Sequence, residues 1–194
     1  NASTIMDTER PPTYSSLSIQ VVDEKGTGVE GAEIVVRNAS TTVTADIKTD
    51  PYGSITIQEM IEGKYFLSIH HDHFFDKEEQ CEISEGSDHT ITIVLYHKKE
   101  IAGIVKNMED KLVEGATIRI QSVTPDVSMK FTIPQKAEIT STTGYFSLSP
   151  LVSGTYVLDV SHPKYMPHQT VCNAGDSLEI VLRTKPSIDV LVIN

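Results

Sequence analysis

The stretch Val-Glu-Gly-Ala-Glu-Ile-Val-Val, residues 29–36, returns 84 positions later as Val-Glu-Gly-Ala-Thr-Ile-Arg-Ile, residues 113–120. In both copies a turn-forming Gly-Ala precedes apolar residues at every second position, the period of a strand with one buried face. Four later landmarks recur 91 positions on: Gly53, Gly63, Tyr65 and Cys81 become Gly144, Gly154, Tyr156 and Cys172. Such an internal period marks repeated structural units. The sequence therefore predicts a tandem duplication with about seven extra residues in the second copy.

The repeat divides the 194 residues into two domains of ordinary small size. We predict a first domain over residues 15–97, a second over residues 98–183, and a tail over residues 184–194 whose strand-like sequence resembles the start of a further module. Only residues 96–100 join the last strand of one copy to the first strand of the next. So short a junction predicts a semi-rigid rod.

Alternating apolar residues predict about seven short strands in each copy. The first strand of copy one buries Leu17, Ile19 and Val21, and its counterpart is Ile101, Gly103 and Val105. Polar segments rich in Gly, Asn and Asp separate the strands, as turns require. No segment shows a convincing helical period, so the fold class is all-β, with two tandem β-sandwiches.

The landmarks also occur in a characteristic order. A first strand and a polar turn are followed by Val-Glu-Gly-Ala, then by Gly before alternating apolar residues, then by Gly-x-Tyr, at residues 29–32, 53–55 and 63–65 and again at 113–116, 144–146 and 154–156. This order resembles carboxypeptidase regulatory-like domains, part of the broader prealbumin-like or Cna-B-like group. The resemblance covers about residues 15–183. It implies a seven-stranded Greek-key sandwich in each copy, of the kind found as a non-catalytic module in exported, cell-surface or periplasmic proteins.

Cna-B-like relatives often carry an internal isopeptide bond between a Lys in the first strand and an Asn near the end of the last. The corresponding first-strand positions here hold Gln20 and Ile104, and the last strands end at residues 94–96 and 181–183 without an Asn. Lys106 lies only at the margin of its strand. We therefore expect no isopeptide bond in either copy.

Charge and hydropathy exclude two classes of partner. The net charge is −11, from 16 basic and 27 acidic residues, which repels a polyanion, so we predict no nucleic-acid binding. No apolar run approaches the roughly 20 residues that cross a bilayer, so we predict no membrane span in this piece. The expected partners are other domains of the same polypeptide, with a protein or a glycan as candidate ligand. The expected location is extracellular or on the cell surface, with the periplasm as the alternative.

The densest polar cluster is His70-His71-Asp72-His73, directly after a predicted strand. Imidazole and carboxylate ligate transition metals, and His71 and His73 would share one face if the strand continued. The second copy has Ser-His-Pro-Lys at residues 161–164, and no further ligand motif is evident. We therefore interpret the cluster as a solvated loop and predict no metal and no cofactor. The candidate ligand-binding residues are His71, His73, Phe74 and Phe131, the last within the insertion at residues 122–138.

No constellation of residues indicates catalysis. Ser, His and carboxylates are abundant, but no GxSxG elbow accompanies them, and sandwiches with short loops rarely form the cleft that acid/base chemistry needs. Cys81 and Cys172 occupy matching positions, one in each copy, so we expect two free thiols. The prediction is a non-enzymatic spacer or interaction module of a larger exported or surface protein. The alternative is a glycan- or protein-binding accessory domain of an extracellular enzyme such as a peptidase or glycoside hydrolase.

Overall fold

A computed structural model of the chain describes residue 11 and residues 13–39, 43–126 and 136–186. These residues form 14 strands, and no helix occurs among them. None of them therefore belongs to a helix long and apolar enough to cross a membrane. The chain divides between His97 and Lys98 into two compact units with seven strands each. The predicted all-β class with two tandem seven-stranded sandwiches is confirmed.

The first unit packs a three-stranded sheet of order β4-β1-β7 against a four-stranded sheet of order β3-β2-β5-β6. Its strands are β1 (Ser15–Asp23), β2 (Glu33–Asn38), β3 (Val43–Lys48), β4 (Ser54–Met60), β5 (Gly63–His70), β6 (Lys77–Ile83) and β7 (Asp88–Leu95).

The second unit repeats this arrangement, with sheets of order β11-β8-β14 and β10-β9-β12-β13. Its strands are β8 (Lys99–Asn107), β9 (Thr117–Pro125), β10 (Ala137–Ile139), β11 (Tyr145–Leu151), β12 (Gly154–His162), β13 (Tyr165–Asn173) and β14 (Ser177–Leu182).

The first and last strands of each unit lie side by side and run parallel. Residues 16–23 of β1 pair in unbroken register with residues 88–95 of β7. In the second unit, residues 102–107 of β8 pair in the same way with residues 177–182 of β14. All other strand pairs in both units are antiparallel. In each sandwich, one continuous parallel ladder of hydrogen bonds thus joins the first strand to the last.

Each core is built from the alternate apolar residues that face between the two sheets. Equivalent residues are buried in both units: Ile34 with Ile118, Tyr65 with Tyr156, Leu67 with Leu158, and Ile69 with Val160. Some matched positions differ: Gly103 takes the place of buried Ile19, and buried Val152 takes that of Ile61, which is 55% exposed. A Cβ at Gly103 would lie 2.3 Å from the carbonyl oxygen of Leu178, so β8 and β14 approach each other where only glycine fits.

A glycine also shapes the turn before β4. Asp50 Oδ1 accepts the backbone N–H groups of Tyr52 and Ser54, at 2.9 and 2.8 Å, which folds the turn tightly. Gly53 takes φ = +77° in this turn, and an added Cβ would lie 2.2 Å from the carbonyl oxygen of Val21. Both its conformation and its surroundings therefore require glycine.

A buried threonine hydroxyl holds the Val-Glu-Gly-Ala turn in each unit. Thr49 Oγ1 donates to the carbonyl of Val29 at 2.6 Å and accepts the N–H of Ala32 at 2.9 Å. Thr140 makes the same two bonds to the second turn, at 2.7 and 2.9 Å, and is 3% exposed. The sequence analysis singled out neither threonine, so both were missed as buried structural residues.

Substitution of this hydroxyl should be strongly destabilising. Thr140→Val keeps the side-chain volume but leaves the carbonyl of Val113 and the N–H of Ala116 buried without this partner, at about 1–3 kcal/mol for each orphaned group. Urea unfolding of the full chain, followed by hydrogen-exchange mass spectrometry of second-unit peptides, measures the loss. Thr140→Ser keeps both bonds and is the matched control. Equal losses in the two variants would contradict the assigned role.

The Gly-x-Tyr motif supplies a second repeated device. Tyr65 Oη donates to the carbonyl oxygen of Ile61, and Tyr156 Oη donates to that of Val152, each at 2.9 Å. The rings fill the cores while the hydroxyls reach the backbone four residues earlier. This arrangement explains why the sequence repeats tyrosine here rather than phenylalanine.

Candidate functional site

The histidine loop, defined as residues 70–75, connects β5 to β6. Phe74 is 6% exposed, and its ring centroid lies 4.1 Å from that of His97 and 5.0 Å from that of His71. The N–H of Phe75 donates to the carbonyl of Tyr96 at 2.9 Å. Phe74 thus anchors the loop on the segment that follows β7, and ligand binding by this residue stays a prediction.

His71 and His73 lie close together, although β5 ends at His70 and does not continue through them. Their ring centroids are 5.6 Å apart, and the N–H of His73 donates to His71 Nδ1 at 3.2 Å. In the second unit the N–H of Lys164 makes the same bond to His162 Nδ1 at 3.1 Å. The hydrogen bond is therefore a shared feature of the loop in both copies, and ligand binding by His71 and His73 stays a prediction. Phe131 lies outside the described residues.

His70 faces different partners. Its Nδ1 lies 2.8 Å from Asp76 Oδ1, and its Nε2 lies 3.6 Å from Asp72 Oδ1. The hydrogen bond to Asp76, followed by the charge of that carboxylate, raises the pKa of His70 above its ordinary value. Asp72 adds a smaller effect of the same sign. The imidazole is about half exposed, so solvent screens the pair.

The pH dependence of His70 is a direct test of this pairing. Because the folded-state pKa is raised, the pair stabilises the protein fully below the unfolded-state pKa, and this contribution disappears as the pH rises through the folded-state pKa. We expect NMR titration of the His70 imidazole to give a pKa above that of an unfolded peptide. Asp76→Asn should lower it clearly, and Asp72→Asn should lower it less. The reverse order would contradict the geometry.

A second ionisable cluster, which we call the Asp-Glu-His cluster, consists of Asp23, Glu24 and His97. Asp23 ends β1 and His97 follows β7 closely, and because β1 and β7 are parallel, their ends meet. His97 Nδ1 lies 2.9 Å from Glu24 Oε2, and ligand atoms of all three side chains lie within 4.8 Å of one another. All three residues are partly buried. No sequence motif indicates this cluster, because Glu24 and His97 are 73 positions apart.

The local chain geometry holds the carboxylates ionised. Asp23 Oδ1 accepts the N–H groups of Lys25 and Thr27, at 2.9 and 2.8 Å. Burial alone would raise the pKa values of Asp23 and Glu24, but hydrogen bonds from backbone N–H groups and the nearby His97 outweigh it and leave both pKa values lowered. The cluster therefore presents two carboxylates beside one imidazole.

The second unit keeps the backbone of this cluster without its ionisable groups. Asn107 replaces Asp23 and accepts the same two turn N–H groups, at 2.9 and 3.0 Å. Met108 stands at the place of Glu24, and Thr184 at that of His97. The backbone bridge between Phe74 and His97 has its counterpart between Tyr165 and Thr184. The second unit thus forms the same turn and bridge with neutral residues at these positions.

The second unit carries a surface depression of about 470 Å³ on its four-stranded sheet. Arg119, Asp159, His168 and Gln169 line it, and Gln169 Nε2 donates to Asp159 Oδ1 at 2.9 Å. The described residues of its lining include no Phe, Tyr or Trp. Stacking on an aromatic ring, a common way to bind a sugar, is therefore not offered by this lining.

Among the described residues, the two thiols have raised pKa values and Lys106 is held in ion pairs. Cys81 and Cys172 are both free thiols, and burial raises the pKa of Cys81 and raises that of Cys172 to about 11. A thiol with a raised pKa is a poor nucleophile at neutral pH. Lys106 Nζ is 2.7 Å from both Asp110 Oδ1 and Glu179 Oε1, and these hydrogen-bonded carboxylates raise its pKa. Its amine is held in a charged ion pair.

Comparison with known proteins gives a family match for the first unit: residues 16–96 match the carboxypeptidase regulatory-like domain. None of the curated proteins matches the chain. The chain is also similar to several solved structures.

The TIE protein of Bacillus anthracis is 15% identical, with a TM-score of 0.46, and the match covers 89% of this chain and 34% of that one. A streptococcal ancillary pilin is 15% identical, with a TM-score of 0.46, over 94% of this chain and 64% of that one. The minor pilin GBS52 of Streptococcus agalactiae is 13% identical, with a TM-score of 0.42, over 92% of this chain and 100% of that one. The chain thus spans less than two thirds of the first two structures.

Proposed function

We propose that this chain, whose first unit is a carboxypeptidase regulatory-like domain, is a non-catalytic spacer and interaction module of a larger exported or cell-surface protein. Its domains would be residues 15–97 and 98–183, and its partners the other domains of the same polypeptide. We further propose that each unit resists tension along the chain. The resemblance to this family supports a location outside the cytoplasm, because it implies a module that accompanies other domains in exported proteins.

The observation that carries the proposal is the parallel pairing of first and last strands in both units. The chain enters β1 at one end of the ladder and leaves β7 at the other. A pull on the two ends therefore loads all the hydrogen bonds of the ladder in shear, rather than one after another. Parallel ladders space these bonds evenly, so the load is shared.

The described residues also support the absence of catalysis. Among them, every fully buried side-chain nitrogen or oxygen has a hydrogen-bond partner. The buried threonine hydroxyls bond the backbone, and the thiols have raised pKa values. Catalytic groups instead lie in a cleft, with a donor or acceptor directed toward the place of a substrate. The polar groups of both interiors thus serve the fold.

The alternative is a glycan- or protein-binding accessory domain of an extracellular enzyme. The depression on the second unit favours it, because Arg119 and Asp159 offer a charged donor and acceptor there. Heteronuclear NMR titration of the full chain with candidate glycans tests this alternative. Shifts confined to Arg119, Asp159 and Gln169 would support it.

Single-molecule force spectroscopy tests the tension proposal on the full chain. In one geometry the handles are attached at the chain termini. In the other, cysteines introduced as Tyr14→Cys and Glu85→Cys, with Cys81→Ala and Cys172→Ala, attach the handles at the same end of β1 and β7. This second geometry peels the ladder open pair by pair, beginning where Ser16 pairs with Asp88.

We expect the first unit to unfold at clearly higher force when pulled through the termini than when peeled. Forced unfolding reports the unfolding rate, so both proteins carry Cys81→Ala and Cys172→Ala, and the same unit can then be compared in the two geometries. Circular dichroism of both proteins before attachment shows whether the substitutions preserve the fold. Equal forces in the two geometries would overturn the proposal.

A further inference from the structure

We propose that Asp23, Glu24 and His97 form a binding site for a divalent first-row transition-metal cation such as Zn²⁺. Their potential ligand atoms all lie within 4.8 Å of one another. One imidazole and two carboxylates form a mixed nitrogen and oxygen set that suits such cations. Three protein ligands leave one position of a tetrahedral site for water. The inference replaces the sequence-based expectation that the chain holds no metal.

The three side chains are placed by separate structural restraints. The parallel ladder pairs Asp23 with Leu95, which brings the end of β1 beside the segment leading to His97. The His97 ring packs on buried Phe74, with 4.1 Å between the centroids, and the backbones of the two residues form a bridge. The imidazole is therefore oriented by contacts that do not involve the carboxylates.

The carboxylates retain free ligand atoms. Asp23 Oδ1 is occupied by two backbone N–H groups, which leaves Oδ2 unused by those bonds. Glu24 Oε2 faces His97 Nδ1 at 2.9 Å. In a tetrahedral site with bonds of 2.0–2.2 Å, ligand atoms lie about 3.4 Å apart. Side-chain shifts of about 1–1.5 Å therefore bring the three ligand atoms to these separations around a cation, and metal bonds replace the hydrogen bond between Glu24 and His97.

The second unit provides an independent argument. It keeps the turn and the backbone bridge with Asn107, Met108 and Thr184 at the three positions. The sandwich therefore does not require a partly buried acid and imidazole at this place. A specific role for the charged set in the first unit accounts for the difference, and the net charge of −11 favours cation binding.

Any test must distinguish this site from the histidine loop, because exposed imidazoles also collect metal ions. His71 is partly buried and His73 is exposed, and within the described part of the chain each has at least one ring nitrogen without a hydrogen bond. Binding at those two residues would be a loop property and would not involve Glu24. Substitutions in the Asp-Glu-His cluster and in the histidine loop therefore show which of the two places binds the metal.

Isothermal titration of the full chain with ZnCl₂, in a buffer that does not bind metal, is the primary measurement. The variants Asp23→Asn, Glu24→Met and His97→Thr install the residues of the second unit, and the double variant His71→Ala/His73→Ala is the matched control. We expect one Zn²⁺ per chain in the wild-type protein and in the control. Since loss of an outer partner alone weakens metal sites by 10–100-fold, loss of the ligands Glu24 or His97 should weaken binding by about 100-fold or more.

Visible absorption with CoCl₂ supplies a second readout, since bands of tetrahedral intensity should appear in the wild-type protein and be absent in His97→Thr. Hydrogen exchange of first-unit peptides verifies that each variant is folded. If Glu24→Met or His97→Thr unfolds, Glu24→Gln and Asp23→Asn decide the outcome, because both keep the side-chain shape. Three results would overturn the proposal: no binding of Zn²⁺, binding lost in the histidine-loop control but kept in Glu24→Gln, or binding of CaCl₂ alone.

Discussion

The variant Gly53→Ala is expected to unfold the first unit, whereas Gly31→Ala should leave it folded. Both glycines have positive φ values, +77° and +72°, so alanine pays about 1–2 kcal/mol in conformational strain at either position. They differ in their surroundings. A Cβ at Gly31 meets nothing within 4 Å, but a Cβ at Gly53 lies 2.2 Å from the carbonyl oxygen of Val21. Relief of that clash requires movement of the strand end itself.

Hydrogen-exchange mass spectrometry of the full chain measures this difference, because it reads peptides from the two units separately. In Gly53→Ala, protection should be lost across β1 and β4 and retained in the second unit. Gly31→Ala should lower the free energy of unfolding by about 1–2 kcal/mol without changing the pattern of protection. Similar losses in the two variants would show that backbone strain alone, and not the close approach to β1, determines the requirement for glycine.

The second large effect is expected at Tyr156, the largest of the fully buried side chains. Tyr156→Ala removes the ring from the centre of the second core and should lower stability by about 3–5 kcal/mol. Tyr156→Phe keeps the ring but leaves the carbonyl of Val152 without the hydroxyl, a loss of about 1–3 kcal/mol. Tyr145→Ala, at a tyrosine that is 47% exposed, should change stability by less than about 1 kcal/mol.

Urea unfolding followed by circular dichroism, with exchange protection in β12 as the local readout, ranks these variants. We expect the largest loss of stability for Tyr156→Ala, a smaller loss for Tyr156→Phe and the smallest for Tyr145→Ala. A Tyr156→Phe variant as stable as the wild-type protein would show that the hydroxyl bond contributes nothing net. The ring alone would then explain the motif.

Much of the architecture could be predicted from local sequence pattern. Alternation at positions such as Ile34 and Ile118 identifies the buried face of a strand, because side chains on a strand point to opposite faces in turn. Repetition then extends each assignment to the second copy. At most matched positions equivalent side chains are buried in both cores. At Gly103 the second copy has no side chain, and β14 lies where a Cβ would clash.

The missed features depend on contacts between distant parts of the chain. Thr49 lies in a polar segment, and its burial follows only from the way the Val-Glu-Gly-Ala turn folds over it. The Asp-Glu-His cluster requires the parallel register of β1 and β7. The alternation of apolar residues within either strand does not specify that register. The loop histidines were visible because they are adjacent in sequence. His97 meets its partner Glu24 only through the fold.

The position of β1 in its sheet has a consequence for biosynthesis. β1 is the middle strand between β4 and β7, and Ser16 and Asp88, which pair, are 72 residues apart. During translation, β1 is synthesised first, but its sheet is complete only after β7 has been synthesised. Closing so long a loop costs conformational entropy, and folding rates fall as contacts become less local. Each copy should therefore mature only after its final strand has emerged from the ribosome.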